Sequence, residues 1–133
     1  MISYIDKVTQ LSNQDVANLR KRILEALMNV YDPEIPVNVV DLGLIYDITI
    51  SDDLVVTIKY TLTAPGCPIA PLLEAQIIGA VKNAVPEAKD VRAELVFDPP
   101  WTPLRITREG REQLKVFYGY DIVEAWLRRS GQA

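Results

Sequence analysis

The stretch Thr61-Leu62-Thr63-Ala64-Pro65-Gly66-Cys67-Pro68 decides how the chain folds. Before it, Val56, Ile58, Tyr60 and Leu62 alternate with Val55, Thr57, Lys59 and Thr61, the period of a half-buried strand. After it, Ile69, Leu72, Leu73, Ile77, Ala80, Val81 and Ala84 recur at helical spacing until Pro86 stops the pattern. The stretch is therefore a strand-to-helix junction, and it holds the only cysteine in the chain. A thiol there lies near free backbone N–H groups and the positive end of a helix dipole, both of which favour thiolate. Pro68 suits a first helical position, whereas Pro71 argues for a start one or more residues later. Two readings of Cys67 stand side by side: a reactive thiol, or a small buried hydrophobe.

Working outward, Leu44, Tyr46, Ile48 and Ile50 alternate with Ile45, Asp47, Thr49 and Ser51, and Asp52-Asp53 turns this strand into the next. Val91, Ala93, Leu95 and Phe97 alternate with Arg92, Glu94, Val96 and Asp98 as a third strand. A strand, a helix and a further strand form a crossover unit, so the third strand should run parallel to the second. Upstream, Ser12 with Asp15 is a variant of the capping box, and Val16, Leu19, Ile23, Leu27 and Val30 give a helix over 13–30. The expected fold is α/β: a two-layer sandwich with a small mixed three-stranded sheet and helices on one face. The order is α-β-β-α-β plus C-terminal helices. Thr107 and Asp121 are the expected caps of two such helices, with a break at Gly119. The expected division is an arm over 1–12, a domain over 13–118 and a helical extension over 119–133.

Composition narrows the function. The 133 residues carry 49% hydrophobic and 24% charged side chains, enough for one ordinary core. A net charge of −4 gives no basic excess for nucleic acid or a membrane surface. No signal peptide or membrane-length apolar run is read, and one cysteine allows no internal disulfide, so the expected location is cytoplasmic. The chain contains no histidine, which removes Ser-His-Asp and Cys-His pairs, His-bound zinc and imidazole proton shuttles. No glycine-rich phosphate loop is present.

Three loop segments carry the candidate chemistry: Asp32-Pro33-Glu34, Thr63 to Pro68, and Pro99-Pro100-Trp101. Asp32 and Glu34 are turn formers, or oxygen groups facing Cys67. Asp41 caps its own turn, or faces the thiol. Thr63 can hydrogen-bond a thiolate or a bound sulfide. Trp101 is a core anchor or a lid. Arg105, Arg108, Arg111, Lys115, Arg128 and Arg129, mixed with Glu109, Glu112, Asp121 and Glu124, read as a solvated helix face.

Four motifs follow in order: Asp32-Pro33-Glu34-Ile35-Pro36-Val37, Val40-Asp41-Leu42-Gly43-Leu44-Ile45-Tyr46, Thr63-x-Pro65-x-Cys67-Pro68, and Phe97-Asp98-Pro99-Pro100-Trp101-Thr102-Pro103. Over residues 17–117 the chain resembles the SufT/PaaD-type metal–sulfur cluster assembly family. The resemblance implies a non-enzymatic carrier or adaptor in the maturation of iron–sulfur proteins. It maps the family's cysteine onto Cys67 as the metal-contacting group, with Asp32, Glu34 and Thr63 shaping its pocket. The implied partners are iron–sulfur assembly proteins and apo client proteins. Two departures limit it. Ala64 stands where the family often has a second threonine, and the C-terminal region lacks the cysteines of the ring-hydroxylase helpers, so neither that role nor its zinc is implied.

An iron–sulfur cluster needs about four ligands, mostly thiolates. One cysteine leaves two arrangements: a transient cluster shared between the subunits of a homodimer, or no bound cluster and a thiol that meets a partner. The readings from other classes are a thiol-dependent enzyme with Cys67 as nucleophile and Asp32 or Glu34 as base, and an interaction module with a structural cysteine.

Overall fold

The computed structural model describes residues 11–32, 35–63 and 70–131. Residues 1–10 of the expected arm over 1–12, together with Glu34 and Cys67, lie outside the described residues. Helix α1 spans Asn13–Leu27, and its capping box is complete. The Ser12 hydroxyl accepts from the Asp15 N–H at 3.0 Å, and the Asp15 carboxylate accepts from the Ser12 N–H at 3.2 Å. The helix ends three residues before the expected Val30. The Asn29 and Val30 N–H groups instead bond the carbonyls of Ala26 and Leu27, three residues back, at 3.1 and 3.0 Å.

Strands β1 (Ile45–Ile50), β2 (Val55–Tyr60) and β3 (Asp90–Leu95) form one sheet in the order β1-β2-β3. β1 pairs antiparallel with β2, and β2 pairs parallel with β3. Helix α2 (Ala70–Ala84) is the crossover between β2 and β3. The fold is the α/β mixed-sheet sandwich that the hydrophobic periods require.

Register fixes the two faces. Ile48 opposes Ile58, and Ile50 opposes Val56, which in turn opposes Val91. These residues meet Leu19, Ile23 and Leu27 of α1 and Leu73, Ile77 and Val81 of α2 in one core. On the other face Thr49, Thr57 and Arg92 lie in register, as do Asp47, Lys59 and Glu94. One finding departs from the simple alternation. A bulge between Ile45 and Asp47 leaves Tyr46 unpaired. It turns Ile45 toward the core beside Tyr60 and frees the Tyr46 hydroxyl to donate to the Pro99 carbonyl at 2.7 Å.

The C-terminal part holds a short 3-10 turn (Pro103–Arg105), helix α3 (Arg108–Tyr118) and helix α4 (Ile122–Arg129). Thr107 caps α3 through the Gly110 N–H at 3.1 Å. Asp121 caps α4 through the N–H groups of Val123 and Glu124. Gly119 ends α3 at φ +83°, in the left-handed region that glycine enters without a Cβ clash. Leu114 and Val123 bury one side chain from each helix in the common core.

Candidate functional site

Three segments are tied together by backbone hydrogen bonds at the end of the sheet where β2 finishes. The Val39 N–H donates to the Val30 carbonyl at 2.8 Å, the Leu44 N–H to Val39 at 3.0 Å, and the Thr61 N–H to Leu44 at 2.8 Å. This ladder links the exit of α1, the turn Asn38–Gly43 and the exit of β2. Asp32 lies two residues beyond Val30, and Thr63 two beyond Thr61. The structure thus gathers onto one frame the segments that carry Asp32, Asp41 and Thr63.

Asp32 is 7% exposed. Its carboxylate accepts from the Ile35 N–H at 3.2 Å, and its own N–H donates to the Val37 carbonyl at 3.4 Å. That is the turn chemistry of an aspartate before proline. The loop is closed further by an antiparallel bridge between Tyr31 and Asn38. Thr61 is buried beside the ladder, and Thr63 is half-buried at the last described position before the cysteine. Burial first, and then the nearby Glu74 carboxylate, holds the Tyr60 phenol above its ordinary pKa.

Asp41 belongs to a buried polar network. Its carboxylate accepts from Asn38 Nδ2 and from Thr107 Oγ1, each at 2.8 Å. Its N–H donates to Asn38 Oδ1 at 2.9 Å, and its carbonyl accepts from the Thr107 N–H at 2.8 Å. Every Asp41 polar group is therefore occupied within the fold, which is the structural reading of this residue. Trp101 is half-buried, and its Nε1–H donates to the Leu42 carbonyl at 2.7 Å, so it anchors the turn. Gly43 is at φ +74°, and a Cβ there would lie 2.3 Å from the Arg105 carbonyl oxygen. Arg105 in turn sits over the Tyr46 ring, 4.4 Å from its centroid.

Asn38, Arg105 and Thr107 were not legible as parts of this end of the molecule. Thr107 and Asp41 are 66 residues apart, and no local spacing announces such a pair. Among the described residues, no group of three acidic, cysteine or histidine side chains could hold a metal ion. The donor set of the whole chain agrees: one thiol and no imidazole fall short of the four ligands that a cluster takes. No described helix is long and apolar enough to cross a membrane.

A model of the iron–sulfur cluster assembly protein family matches residues 20–95. The Fe-S protein maturation auxiliary factor YitW of Bacillus subtilis is 38% identical over 98 residues, covering 74% of this chain and 95% of that protein. The auxiliary factor SufT of Staphylococcus aureus is 39% identical over 90 residues, covering 65% and 98%. Among solved structures, a domain of unknown function from Bacillus anthracis superposes with a TM-score of 0.71. It is 30% identical, with 75% of this chain and 94% of that one covered. A conserved hypothetical protein from Thermotoga maritima gives 0.61 at 39% identity, covering 80% and 96%.

Proposed function

The chain belongs to the iron–sulfur cluster assembly protein family, and from that membership we propose that it assists the maturation of iron–sulfur proteins through Cys67. The observation that carries this reading is the match to maturation auxiliary factors over nearly their whole length. A relative named an iron-sulfur cluster carrier protein, 38% identical over 72 residues, supports cluster handling as the shared task. In this proposal residues 13–118 form the assembly domain, and 119–133 form a helical extension. The protein works in the cytoplasm as a carrier or adaptor and catalyses no turnover.

Cys67 is the proposed metal- or sulfur-contacting group, with Thr63, Asp32 and Glu34 around it. The cluster is cargo. A single thiolate holds one corner of it, and the remaining ligands come from a second copy or from a partner protein. Asp32 shapes the loop through its bond to the Ile35 N–H. Thr63 offers a hydroxyl that can donate to a thiolate or sulfide. Partial and shared ligation suits transfer, because a cluster held by few bonds leaves readily for a client with a full ligand set.

The test is genetic and biochemical. In a strain lacking the gene, iron–sulfur enzymes should lose activity while their protein levels hold. Wild-type protein should restore the activity, and Cys67→Ser should not. Full restoration by Cys67→Ser would reduce the cysteine to a structural residue and leave an interaction module.

A further inference from the structure

Helices α1 and α2 pack antiparallel over the sheet. Arg22 of α1 pairs at 2.7 Å with Glu87, just past the end of α2, while Val30 and Tyr31 stand beside Gln76 and Ala80. The outer side of this helix pair carries Leu24, Met28, Tyr31 and Leu72, each between 39% and 52% exposed. Single exposed apolar side chains are ordinary, but a group of them on one face marks an interface. Between Tyr31 and the pair Gln76 and Ala80 lies an open hollow of about 420 Å³. No charged residue occurs from Ala26 to Tyr31 or from Ala75 to Val81. Glu74 and Lys82 bound this uncharged part of α2, and among the described residues neither forms a salt bridge.

We propose that this face binds a second copy of the chain, with the two α2 helices antiparallel across a twofold axis beside Ile78. The charges select the occupant. With 18 acidic and 14 basic residues, two copies repel over most of their surface, and a face without charge is where they can meet. Glu74 and Lys82 are two turns apart, about 12 Å along the helix. A parallel copy would set like charges side by side. An antiparallel copy centred on Ile78 sets Glu74 of each chain against Lys82 of the other, twice by symmetry. The same register sets Gln76 against Ala80 and runs the two helix dipoles in opposite directions. An unrelated partner would match this order of charges only by chance. Gly79 fits the same contact. Glycine is costly inside a helix, and a Cβ there would meet nothing of its own chain within 4 Å, so a helix approaching from outside accounts for it. The size of the face sets the strength. α2 has 15 residues, about 22 Å of helix, and α1 runs about 8–10 Å beside it, which gives about 400 Å² per copy. Two such faces fall below the roughly 1,200 Å² of a standard interface, so the pair forms and dissociates readily.

The proposal stands apart from the reading of Cys67. Its test uses the full metal-free chain, with reductant present so that no disulfide links two copies. Sedimentation equilibrium is run from about 5 to about 500 μM, where a small interface associates. Wild type should pass from the mass of one chain toward that of two. Glu74→Lys and Lys82→Glu each turn two attractions into two repulsions and should weaken the dimer about tenfold. The double swap restores both pairs and should return to within about threefold of wild type. Gly79→Gln puts a good helix former in place of glycine and a side chain into the contact, so it should abolish the dimer. Circular dichroism shows that each variant compared is folded. Wild type that stays monomeric throughout overturns the proposal and leaves the face to another protein. A dimer that every folded variant forms as wild type does overturns it as well, because the contact then lies on another face. So does a double swap no better than the single ones, because the helices then do not run antiparallel. None of these results bears on whether Cys67→Ser restores maturation, so the two readings fail separately.

Discussion

Gly43→Ala should be far more costly than a substitution at another glycine of the same backbone conformation. Gly43 and Gly119 have φ of +74° and +83°, so an alanine at either place meets the left-handed penalty of about 1–2 kcal/mol. The surroundings differ. At Gly119 a Cβ meets nothing within 4 Å, whereas at Gly43 it would stand 2.3 Å from the Arg105 carbonyl oxygen and 2.7 Å from the Arg105 Cβ. Carbon in ordinary contact sits at about 3.5–4.0 Å, so the Arg105 backbone has to move by more than a side chain can absorb. Overpacking of this kind adds about 1–3 kcal/mol. The sum for Gly43→Ala is then about 2–5 kcal/mol, against about 1–2 kcal/mol for Gly119→Ala. Urea unfolding followed by circular dichroism, with midpoints converted at a common slope, measures both. Equal losses in the two variants would refute the close approach of Arg105 to the turn.

The other outcomes follow from the same structure. Gly79 lies exposed inside α2 with open space around its Cβ position, so Gly79→Ala should stabilise by about 1 kcal/mol in the same unfolding assay. Ile23→Ala empties a fully buried site between α1 and the sheet and should cost about 2–5 kcal/mol. The hydrogen bond from Arg111, at 2.8 Å, holds the Asp121 carboxyl below its ordinary pKa. The folded-state value is the lower one, so the unfolded chain takes up the proton first. Asp121 therefore contributes stability above the unfolded value of about 3.9 and loses it as pH falls through the folded value. Urea midpoints should drop on acidification in that window, and Asp121→Asn should show a shallower drop than wild type.

Where the sequence spoke locally, it was legible. Ser12 and Asp15 announced the start of α1, and the alternation of Val56, Ile58 and Tyr60 followed by the stripe Leu73, Ile77 and Val81 required a parallel crossover. Thr107, Gly119 and Asp121 marked the helix ends in the C-terminal part. What escaped was non-local. Alternation alone does not reveal the bulge at Tyr46, because the extra residue is itself apolar enough to fit the pattern. The end of α1 ran short because Val30 remains on the apolar stripe after the hydrogen bonding has changed. Gly43 looked like the end of a turn, and it is one, but its closest neighbour, Arg105, is 62 residues further along the chain. The Asp41 network joins side chains that no period connects. In the candidate site, the segments of Asp32, Asp41 and Thr63, which the motifs singled out, share one backbone ladder. For Asp32, turn chemistry is what its backbone contacts display.

The central claim is that Cys67 meets the cluster, and anaerobic reconstitution with iron and sulfide tests it most directly. Wild type and Cys67→Ala are treated side by side, and visible absorbance, iron per chain and molecular mass are read together. With one thiol per chain, wild type should take up a labile cluster as a dimer or with added small thiol, and Cys67→Ala should take up none. Equal iron and equal absorbance in the two proteins, or none in either, would contradict direct cluster contact through Cys67.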